Sequence, residues 1–298
     1  MHADELDTDT ALVRRLLAAQ FPEWAALPVQ HVNSFGTDNA LFRLGDGLLV
    51  RLPRIGWAVG QVEKELQWLP RLAPGLPLAV PRPLVLGQPG EGYPWTWGVY
   101  RWLPGAVPSL TEVAADAALA GHLAEFVLAL RAADPAGAPR EPDPAGTLHR
   151  LDAPVVSAIA VSRDLLGART LDHIRQLWRE ALALPGWLHE PVWVHGDLHS
   201  SNLLRQDGRL SAVLDFSALR LDDPAADLMV AWNAFGPEAR QTYRAALRPD
   251  DATWGRGRAW ALAKALFALP YYQRTNPEIV ERAEFTVRQV LTDHERGA

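Results

Sequence analysis

The 298-residue chain contains no cysteine and only two lysines, Lys64 and Lys264. The absence of cysteine excludes disulfide-stapled folds, thiol nucleophiles and cysteine-ligated zinc sites. No segment approaches the roughly 18 apolar residues that a membrane-spanning helix needs, and residues 1–7 are acidic where a signal peptide is basic. We therefore expect a soluble, cytoplasmic protein with no membrane partner.

Positive charge is also scarce, and it is almost entirely arginine: 27 of the 29 Lys and Arg residues. Together with 35 acidic residues this gives a formal net charge of −6 and a pI of about 5.8. That balance excludes a nucleic-acid binder that works by bulk charge, so no nucleic-acid partner is expected. The 48% hydrophobic content excludes intrinsic disorder and suits one large fold or two lobes.

The first hundred residues combine two helical patterns with several strand patterns. Gly45-Asp46-Gly47 has the composition of a tight turn and separates two apolar alternations, which predicts a hairpin. The predicted elements are a helix over 9–20, strands ending at Leu44 and running from Leu48 to Leu52, a helix over 61–72, extended proline-rich chain over 74–83 and a strand over 93–103.

The rest of the chain is mainly helical. Its patterns predict one long helix over 111–133, a loop over 134–146, helices over 153–163 and 170–184, a β-rich segment over 191–216 and several helices between 224 and 292. A β-rich N-terminal lobe followed by a helical C-terminal lobe is an α+β fold.

Polar residues at fixed spacing follow two short apolar runs in the β-rich segment. His195-Gly196-Asp197-Leu198-His199-Ser200-Ser201-Asn202 follows the first run, and Asp215 closes the second. Phosphoryl transfer needs a carboxylate to orient a hydroxyl, and an amide with a second carboxylate to hold Mg²⁺ against triphosphate oxygens. The spacing repeats that of the protein-kinase catalytic loop and its metal-binding aspartate.

This stretch resembles the His-Gly-Asp-Leu-His-x-x-Asn signature of the aminoglycoside phosphotransferase family, whose members resemble protein kinases in fold. The similarity continues into Asp222-Asp223-Pro224-Ala225-Ala226-Asp227-Leu228 and back to the N-terminal hairpin. It implies a bilobal protein-kinase-like fold, with a nucleotide-binding lobe over residues 1–103, a hinge near 98–105 and a catalytic, substrate-binding lobe over 104–298.

The resemblance also implies roles for the motif residues. Asp197 would be the catalytic base, and Asn202 and Asp215 would bind Mg²⁺. His195 and His199 would support the loop, while Asp227 would tie down its backbone. The implied enzyme is a small-molecule kinase that moves the γ-phosphate of ATP or GTP directly to a hydroxyl of an aminoglycoside, a macrolide or a related metabolite.

The nucleotide site implied for the N-terminal lobe begins before the hairpin, where Ser34, Gly36 and Thr37 would contact the phosphates. Arg51 occupies the usual lysine position, in an Arg-x-Pro-Arg variant similar to the macrolide-kinase branch. Its guanidinium fork suits phosphate as well as an ammonium does. In the hinge, the segment around Tyr100 and Trp102 would meet the nucleobase.

A glutamate on the following helix is expected to pair with Arg51. Glu63 and Glu65 are the candidates, and two residues on one helix point about 200° apart, so both cannot face Arg51. We predict Glu65 as the partner.

Acceptor recognition is expected in the helical lobe, where residues 216–298 hold 11 acidic and 11 basic side chains. A polycationic aminoglycoside would favour an acidic pocket, so this balance argues weakly against one. Five acidic residues either converge on the acceptor or form a solvated face: Asp222, Asp223, Glu238, Asp250 and Asp251. Tyr271 and Tyr272 suit a sugar or macrolide ring, or a capping and core role.

Two other functions stay open. Alternate positions 195, 197 and 199 carry metal-ligand residue types, which suits a hydrolytic metal site, although the other seven histidines are scattered. A non-catalytic nucleotide-binding module is the second alternative. Arg51 in the lysine position favours it, whereas the intact Asp197, Asn202 and Asp215 speak against it.

Overall fold

The computed structural model describes residues 5–33, 36 and 38–297. By their internal contacts these residues form two compact units. Unit 1 contains the described residues up to Ala106 together with Ser211–Ser217, and unit 2 contains Val107–Leu210 with the described residues from Ala218 onward. No helix in the described part of the chain is long and apolar enough to cross a membrane.

Unit 1 is built on a five-stranded antiparallel sheet of order β1-β2-β3-β5-β4. Its strands are β1 (Val29–Val32), β2 (Asn39–Leu44), β3 (Leu48–Pro53), β4 (Pro83–Gly87) and β5 (Trp97–Arg101). The predicted hairpin is confirmed: Leu44 pairs with Leu48, and Gly45 turns the chain in the left-handed region at φ +55°. A glycine adopts that conformation without the steric cost of a side chain.

Two helices accompany this sheet, α1 (Thr10–Gln20) and α2 (Gln61–Leu72), as predicted. Asp9 begins α1 by accepting a hydrogen bond from the Leu12 backbone at 2.7 Å, the usual way to satisfy an orphan N–H at a helix start. The apolar face of α1 is buried in one core with strand side chains such as Phe42 and Val50.

The predicted strand map is incomplete at the sheet edges. β1 reads Val-Gln-His-Val and buries only Val29, so the apolar–polar alternation of a half-buried strand is missing. β4 begins at a proline, a residue that strands accept at their first position or at a sheet edge. β5 is shorter than the predicted 93–103 because Tyr93 belongs to a tight turn, where it pairs with Gly90.

Unit 2 is helical with one small strand pair and a further short strand. Its helices are α3 (Leu110–Ala115), α4 (Ala117–Arg131), α5 (Thr147–Arg150), α6 (Asp152–Val161), α7 (Arg163–Leu166), α8 (Ala168–Leu182), α9 (Val230–Asn233), α10 (Pro237–Leu247), α11 (Asp251–Tyr272) and α12 (Pro277–Gly297). Strand β6 (Val192–Val194) pairs with β9 (Arg220–Asp222), and β7 (Leu203–Gln206) is the further strand. Strand β8 (Arg209–Val213) begins at the end of this stretch of unit 2, and its last three residues belong to unit 1.

The prediction of one helix over 111–133 is wrong. The chain leaves the helix at Asp116, whose backbone is extended, and that side chain accepts a hydrogen bond from Leu119 N at 2.9 Å to begin α4. A short acidic side chain inside an Ala/Leu pattern thus acts as an N-cap rather than as an interior residue.

Candidate active site

The predicted site residues fall into two groups, one in each unit. In unit 1, Arg51 on β3 and Glu65 on α2 form an ion pair with Nη1 and Oε1 2.8 Å apart. Arg51 is only 8% exposed and Glu65 is fully buried. The predicted choice of Glu65 is confirmed, since Glu63 instead accepts a hydrogen bond from Thr96 at 2.6 Å.

Other side chains complete the surroundings of this ion pair. Arg51 Nη2 donates to Gln61 Oε1 at 2.8 Å and lies 3.7 Å from Asp215 Oδ1. The Tyr100 hydroxyl donates to the second Glu65 oxygen at 2.7 Å. Of the five N–H donors of the Arg51 guanidinium, two are used within the described chain, so donors remain for an anion.

Burial and charge act in opposite directions on this cluster. Burial alone would lower the pKa of Arg51, but Glu65, Tyr100 and Asp215 outweigh it and raise that pKa above its ordinary value. Burial and the neighbouring Glu65 raise the pKa of Tyr100 well above its usual range. Arg51 therefore keeps its charge, and Tyr100 stays a neutral hydroxyl that donates to Glu65.

Asp215 has an unusual backbone conformation, with φ +61°. Such left-handed non-glycine residues are rare, and aspartate tolerates the conformation better than most. Its Oδ1 accepts from Ser217 N at 3.2 Å, the side chain is 38% exposed, and its other oxygen has no hydrogen-bond partner among the described residues. Lys64 donates to the Ser217 carbonyl, which fixes the segment behind Asp215.

The structure describes only some of the other residues predicted to bind the nucleotide. Ser34 and Thr37 lie outside the described residues, and Gly36 is exposed in irregular chain. The Trp102 backbone N–H donates to the Gly47 carbonyl at 2.9 Å, and the Arg43 guanidinium lies 4.8 Å from its ring centroid. Because the Tyr100 side chain is buried against Glu65, it acts on this region through that glutamate.

In unit 2, Asp197 lies on the loop that follows β6. Its Oδ1 is 3.2 Å from Lys264 Nζ on α11, and its Oδ2 is 3.5 Å from His199 Nε2. Burial would raise the pKa of Asp197, but the Lys264 ammonium and His199 beside it hold that pKa well below its ordinary value. The carboxylate is therefore ionised and ready to accept a hydrogen bond.

Asn202 closes the loop with its amide orientation fixed. Its Nδ2 donates to the Asp197 carbonyl at 3.0 Å and lies 3.1 Å from His199 Nε2. The amide nitrogen is thereby held by the loop backbone, and Oδ1 accepts no hydrogen bond within the described part of the chain. On the other side of His199, Nδ1 lies 2.8 Å from Ser201 Oγ, which also receives a hydrogen bond from Arg282 on α12.

A buried carboxylate holds the backbone at the start of this loop. Asp227 accepts from His195 N at 3.0 Å and from Gly196 N at 2.8 Å. The predicted tie between Asp227 and the loop backbone is therefore confirmed. Tyr243 in turn donates to the Asp227 carbonyl at 3.0 Å, and His195 is buried, with Nδ1 accepting from Asp197 N at 3.3 Å.

The acidic residues considered for acceptor recognition mostly have partners inside the protein. Asp222 pairs with Arg220, Asp223 with Arg256 and Asp251 with Arg244, and Asp250 begins α11 by accepting from Thr253. Glu238 lies exposed in the first turn of α10. Two buried carboxylates are thus paired with arginines, Asp251 makes an exposed ion pair, and Asp250 serves as a helix cap.

The alternate histidines of the loop do not present a metal site. Both ring nitrogens of His199 are engaged, and His195 is enclosed with one ring nitrogen bonded to the loop. Among the described residues there is no group of three or more His, Asp or Glu side chains that could hold a metal ion. This geometry disfavours the hydrolytic alternative.

No pattern in the sequence predicts the contacts of the two lysines. Lys64 contacts the segment of Asp215 in unit 1, and Lys264 contacts Asp197 in unit 2. Each contact joins parts of the chain that lie far apart in sequence, so no local pattern reveals it. The one available signal was rarity: a chain with 29 Lys and Arg residues keeps lysine at only these two positions.

Comparisons with known proteins agree with this geometry. The sequence model of the APH family, described as the phosphotransferase enzyme family, matches residues 29–260. Among curated proteins no match was found.

Among solved structures, the chain resembles APH(2")-IIia in complex with GDP and kanamycin, with a TM-score of 0.76 and 19% identity over 94% of this chain and 98% of the other. It resembles macrolide 2'-phosphotransferase MphH from Brachybacterium faecium with a TM-score of 0.63 and 21% identity over 94% and 97%. It also resembles APH(2")-IIa in complex with streptomycin and ATP, with a TM-score of 0.62 and 16% identity over 91% and 92%.

These structural similarities confirm the predicted α+β, kinase-like fold. The family match spans most of the chain and confirms the predicted resemblance. The chain belongs to the APH phosphotransferase enzyme family.

Proposed function

We propose that the protein is a Mg²⁺-dependent kinase that transfers the γ-phosphate of ATP or GTP to a hydroxyl group of a small molecule in the cytoplasm. The family is one of phosphotransferase enzymes, and solved relatives hold GDP or ATP together with a hydroxyl-bearing antibiotic. The observation that carries the proposal is the loop of unit 2, where an ionised Asp197 is held beside an Asn202 with an unused oxygen.

Asp197 is the proposed catalytic base. The hydroxyl oxygen of the acceptor bonds to the γ-phosphorus while the bond from that phosphorus to the bridging oxygen breaks. The nucleoside diphosphate leaves with the electron pair, and the hydroxyl proton passes to Asp197. A carboxylate with a lowered pKa is a weak base, so its contribution is mainly to orient the hydroxyl.

Asn202 and Asp215 are the proposed Mg²⁺ ligands. Mg²⁺ prefers oxygen ligands and usually takes one or two from the protein, with waters and phosphate oxygens supplying the others. Asn202 fits because its nitrogen is committed and its oxygen is not. Asp215 fits because one carboxylate oxygen is unused and the side chain is partly exposed. When bound, the ion would neutralise charge on the transferring phosphoryl group.

Arg51 is the proposed cation for the nucleotide phosphates. It is permanently charged, held by Glu65 and left with unused N–H donors. Ser34, Gly36 and Thr37 are proposed to contact phosphate oxygens, and the backbone around Trp102 is proposed to meet the nucleobase. Tyr100 supports Arg51 through Glu65.

Labelled ATP or GTP, Mg²⁺ and a panel of hydroxyl compounds provide the direct test. The panel includes aminoglycosides, macrolides, choline, amino sugars, neutral sugars and sugar acids. We expect transfer to at least one compound, and we expect Asp197→Ala to abolish it while nucleotide binding persists. Nucleotide binding without transfer by the unaltered chain favours the non-catalytic module, and the absence of both would contradict the proposal.

A further inference from the structure

Lys264 lies against the proposed catalytic base from the middle of α11. Its Nζ is 3.2 Å from Asp197 Oδ1, and its side chain is 48% exposed. An ammonium has three N–H donors, and within the described residues only Asp197 receives one of them. Two donors are therefore left to face whatever approaches Asp197 from solvent.

The face of α11 that carries Lys264 also carries aromatic rings. Trp260, Phe267 and Tyr271 lie four residues before, three after and seven after Lys264, so the four side chains share one side of the helix. Trp260 and Phe267 are half-buried, and Tyr271 is 55% exposed. Aromatic rings beside polar donors are typical of surfaces that bind sugar-like rings, whose faces are apolar and whose edges carry oxygens.

Two cations, Lys264 and Arg282, contact the loop that carries Asp197. Arg282 donates to Ser201, within the same loop as Asp197, and Glu278 on α12 is paired with Arg282 at 3.2 Å. Asp222 and Asp223 are buried and paired with Arg220 and Arg256. Among the described residues Lys264 forms an ion pair with Asp197 alone, so an ammonium group on the acceptor would place a second positive charge beside Lys264 and be repelled by it.

We infer that the acceptor is a neutral or anionic polyhydroxylated ring compound that carries no ammonium group next to its reacting hydroxyl. Lys264 is then a specificity-determining residue that binds an acceptor oxygen beside that hydroxyl. This inference rests on the proposed function and names its substrate class. Lys264 would act on acceptor choice as well as on Asp197, whereas a purely electrostatic role on Asp197 would affect every acceptor equally.

The test compares binding of three probes that differ mainly in charge: glucose, glucuronate and glucosamine. Saturation-transfer NMR on the full-length protein measures their binding without requiring catalysis. We expect glucose and glucuronate to bind at least about tenfold better than glucosamine, because an unmatched charge next to Lys264 costs about as much as a charged hydrogen bond contributes. Equal signals for the three sugars, absent signals included, overturn the inference.

Variants of Lys264 then show whether Lys264 causes the preference for glucose and glucuronate over glucosamine. Lys264→Met should remove most of the preference, Lys264→Arg should retain it, and Lys264→Glu should shift it toward glucosamine. Arg288→Gln is the matched control, because Arg288 lies 63% exposed on α12 and is paired with Glu284. Circular dichroism shows whether each variant folds, and a preference that persists in Lys264→Met contradicts the role of Lys264.

Transfer assays on the same proteins separate this inference from the proposed function. If no compound is phosphorylated but the Lys264-dependent preference is present, the proposed function fails and the inference about ligand charge stands. The opposite outcome is that a compound with an ammonium group beside its reacting hydroxyl is phosphorylated best and that Lys264→Met leaves the ranking of acceptors unchanged. The kinase assignment then stands and the inference fails.

Discussion

Arg51 and Glu65 form a buried pair whose members stabilise each other's charge. Glu65 is fully buried and Arg51 is 8% exposed, so removing one partner leaves the other uncompensated in a medium that disfavours charge. This couples the stability of unit 1 to the cation proposed for the nucleotide phosphates. Substitutions at Arg51 therefore need a stability measurement beside every kinetic one.

Arg51→Ala should lower the free energy of unfolding by about 3–5 kcal/mol, the usual cost of breaking a buried ion pair. It should also raise the KM for nucleotide more than the KM for the acceptor. Arg51→Lys keeps the charge but loses the planar fork that reaches both Glu65 and Gln61, so partial activity is expected. Urea denaturation and steady-state kinetics measure the two effects, and unchanged nucleotide kinetics in Arg51→Ala would place the phosphate cation elsewhere, with Arg54 the next candidate.

Substitution of Tyr100 tests whether its hydrogen bond to Glu65 supports the Arg51–Glu65 pair. Tyr100→Phe removes one buried hydrogen bond to a charged carboxylate, which should cost about 1.5–3 kcal/mol of stability and raise the nucleotide KM. Tyr93→Phe is the control, because the Tyr93 hydroxyl is also buried in unit 1 but donates to the Pro53 carbonyl at 2.7 Å. Both variants should be less stable in urea. Only Tyr100→Phe should change the nucleotide KM, and equal kinetic effects would show that Tyr100 acts on stability alone.

The partner of a residue could be predicted from the sequence where helix geometry separates two candidate side chains. The helical period separates Glu65 from Glu63, and the structure bears out that choice. The hydrogen bond of the Tyr100 hydroxyl and the contact of Lys264 could not be predicted. Each depends on a partner distant in sequence, and side-chain chemistry alone does not say which distant groups meet.

Secondary-structure elements with explicit start and stop signals were likewise the predictable ones. Asp9 begins α1, and Gly45 turns the hairpin between β2 and β3. By contrast, β1 and β4 are short edge strands whose sequences show little alternation. Strand formation there depends on pairing with a neighbour rather than on the strand's own pattern.

The contact of α11 with the turn 224–229 positions two groups of the proposed site. An ideal Cβ on Gly257 would lie 2.5 Å from Leu228 Cβ and 3.2 Å from the Ala225 carbonyl. The turn that fills this space carries Asp227, which holds the loop backbone. Seven residues further along α11, on the same face, Lys264 reaches Asp197. Close approach at Gly257 therefore sets the distance from α11 to the loop.

Gly257→Ala should destabilise the protein by about 1–3 kcal/mol, since overpacking against rigid atoms outweighs the gain in helix propensity. It should also reduce kcat, because α11 moves relative to Asp227 and the loop. Gly255→Ala is the matched control on the same helix: its Cβ would meet Leu184 Cδ1 at 2.7 Å, the end of a flexible side chain that can rotate away. Thermal unfolding and kcat are measured for both, and equal behaviour of the two variants would contradict the close-packing argument.

At the scale of the whole chain, residues 211–217 belong to unit 1, although the segments before and after them belong to unit 2. Ala79 donates to the Ser211 carbonyl at 3.1 Å and accepts from Val213 N at 2.9 Å. The same segment carries Asp215 to within 3.7 Å of Arg51. The sequence motif predicts that Asp215 matters, but the backbone pairing that places it beside Arg51 is non-local and leaves no pattern in either segment.

Binding of a nucleotide with Mg²⁺ should raise the melting temperature of the whole protein. A ligand at 100 times its Kd stabilises the folded state by about 2.7 kcal/mol. We expect Mg²⁺ with ATP or GTP to give a clear rise in Tm and EDTA to remove most of it. Asp215→Asn should lose the metal-dependent part, while Asp197→Asn keeps it because Asp197 is proposed to orient the acceptor rather than to hold the ion.

Asparagine is the informative substitution at position 215 because it tolerates the left-handed backbone that alanine does not. A loss of Mg²⁺ response in Asp215→Asn then reports the missing carboxylate and not a strained turn. Asp46→Asn is the control, since Asp46 is a solvent-exposed aspartate in the hairpin turn of unit 1 and should respond like the unaltered chain. If nucleotide raises Tm equally in EDTA, or if Asp215→Asn retains the full Mg²⁺ response, Asp215 is not a metal ligand. The charge beside Arg51 would then serve only to hold the arginine in place.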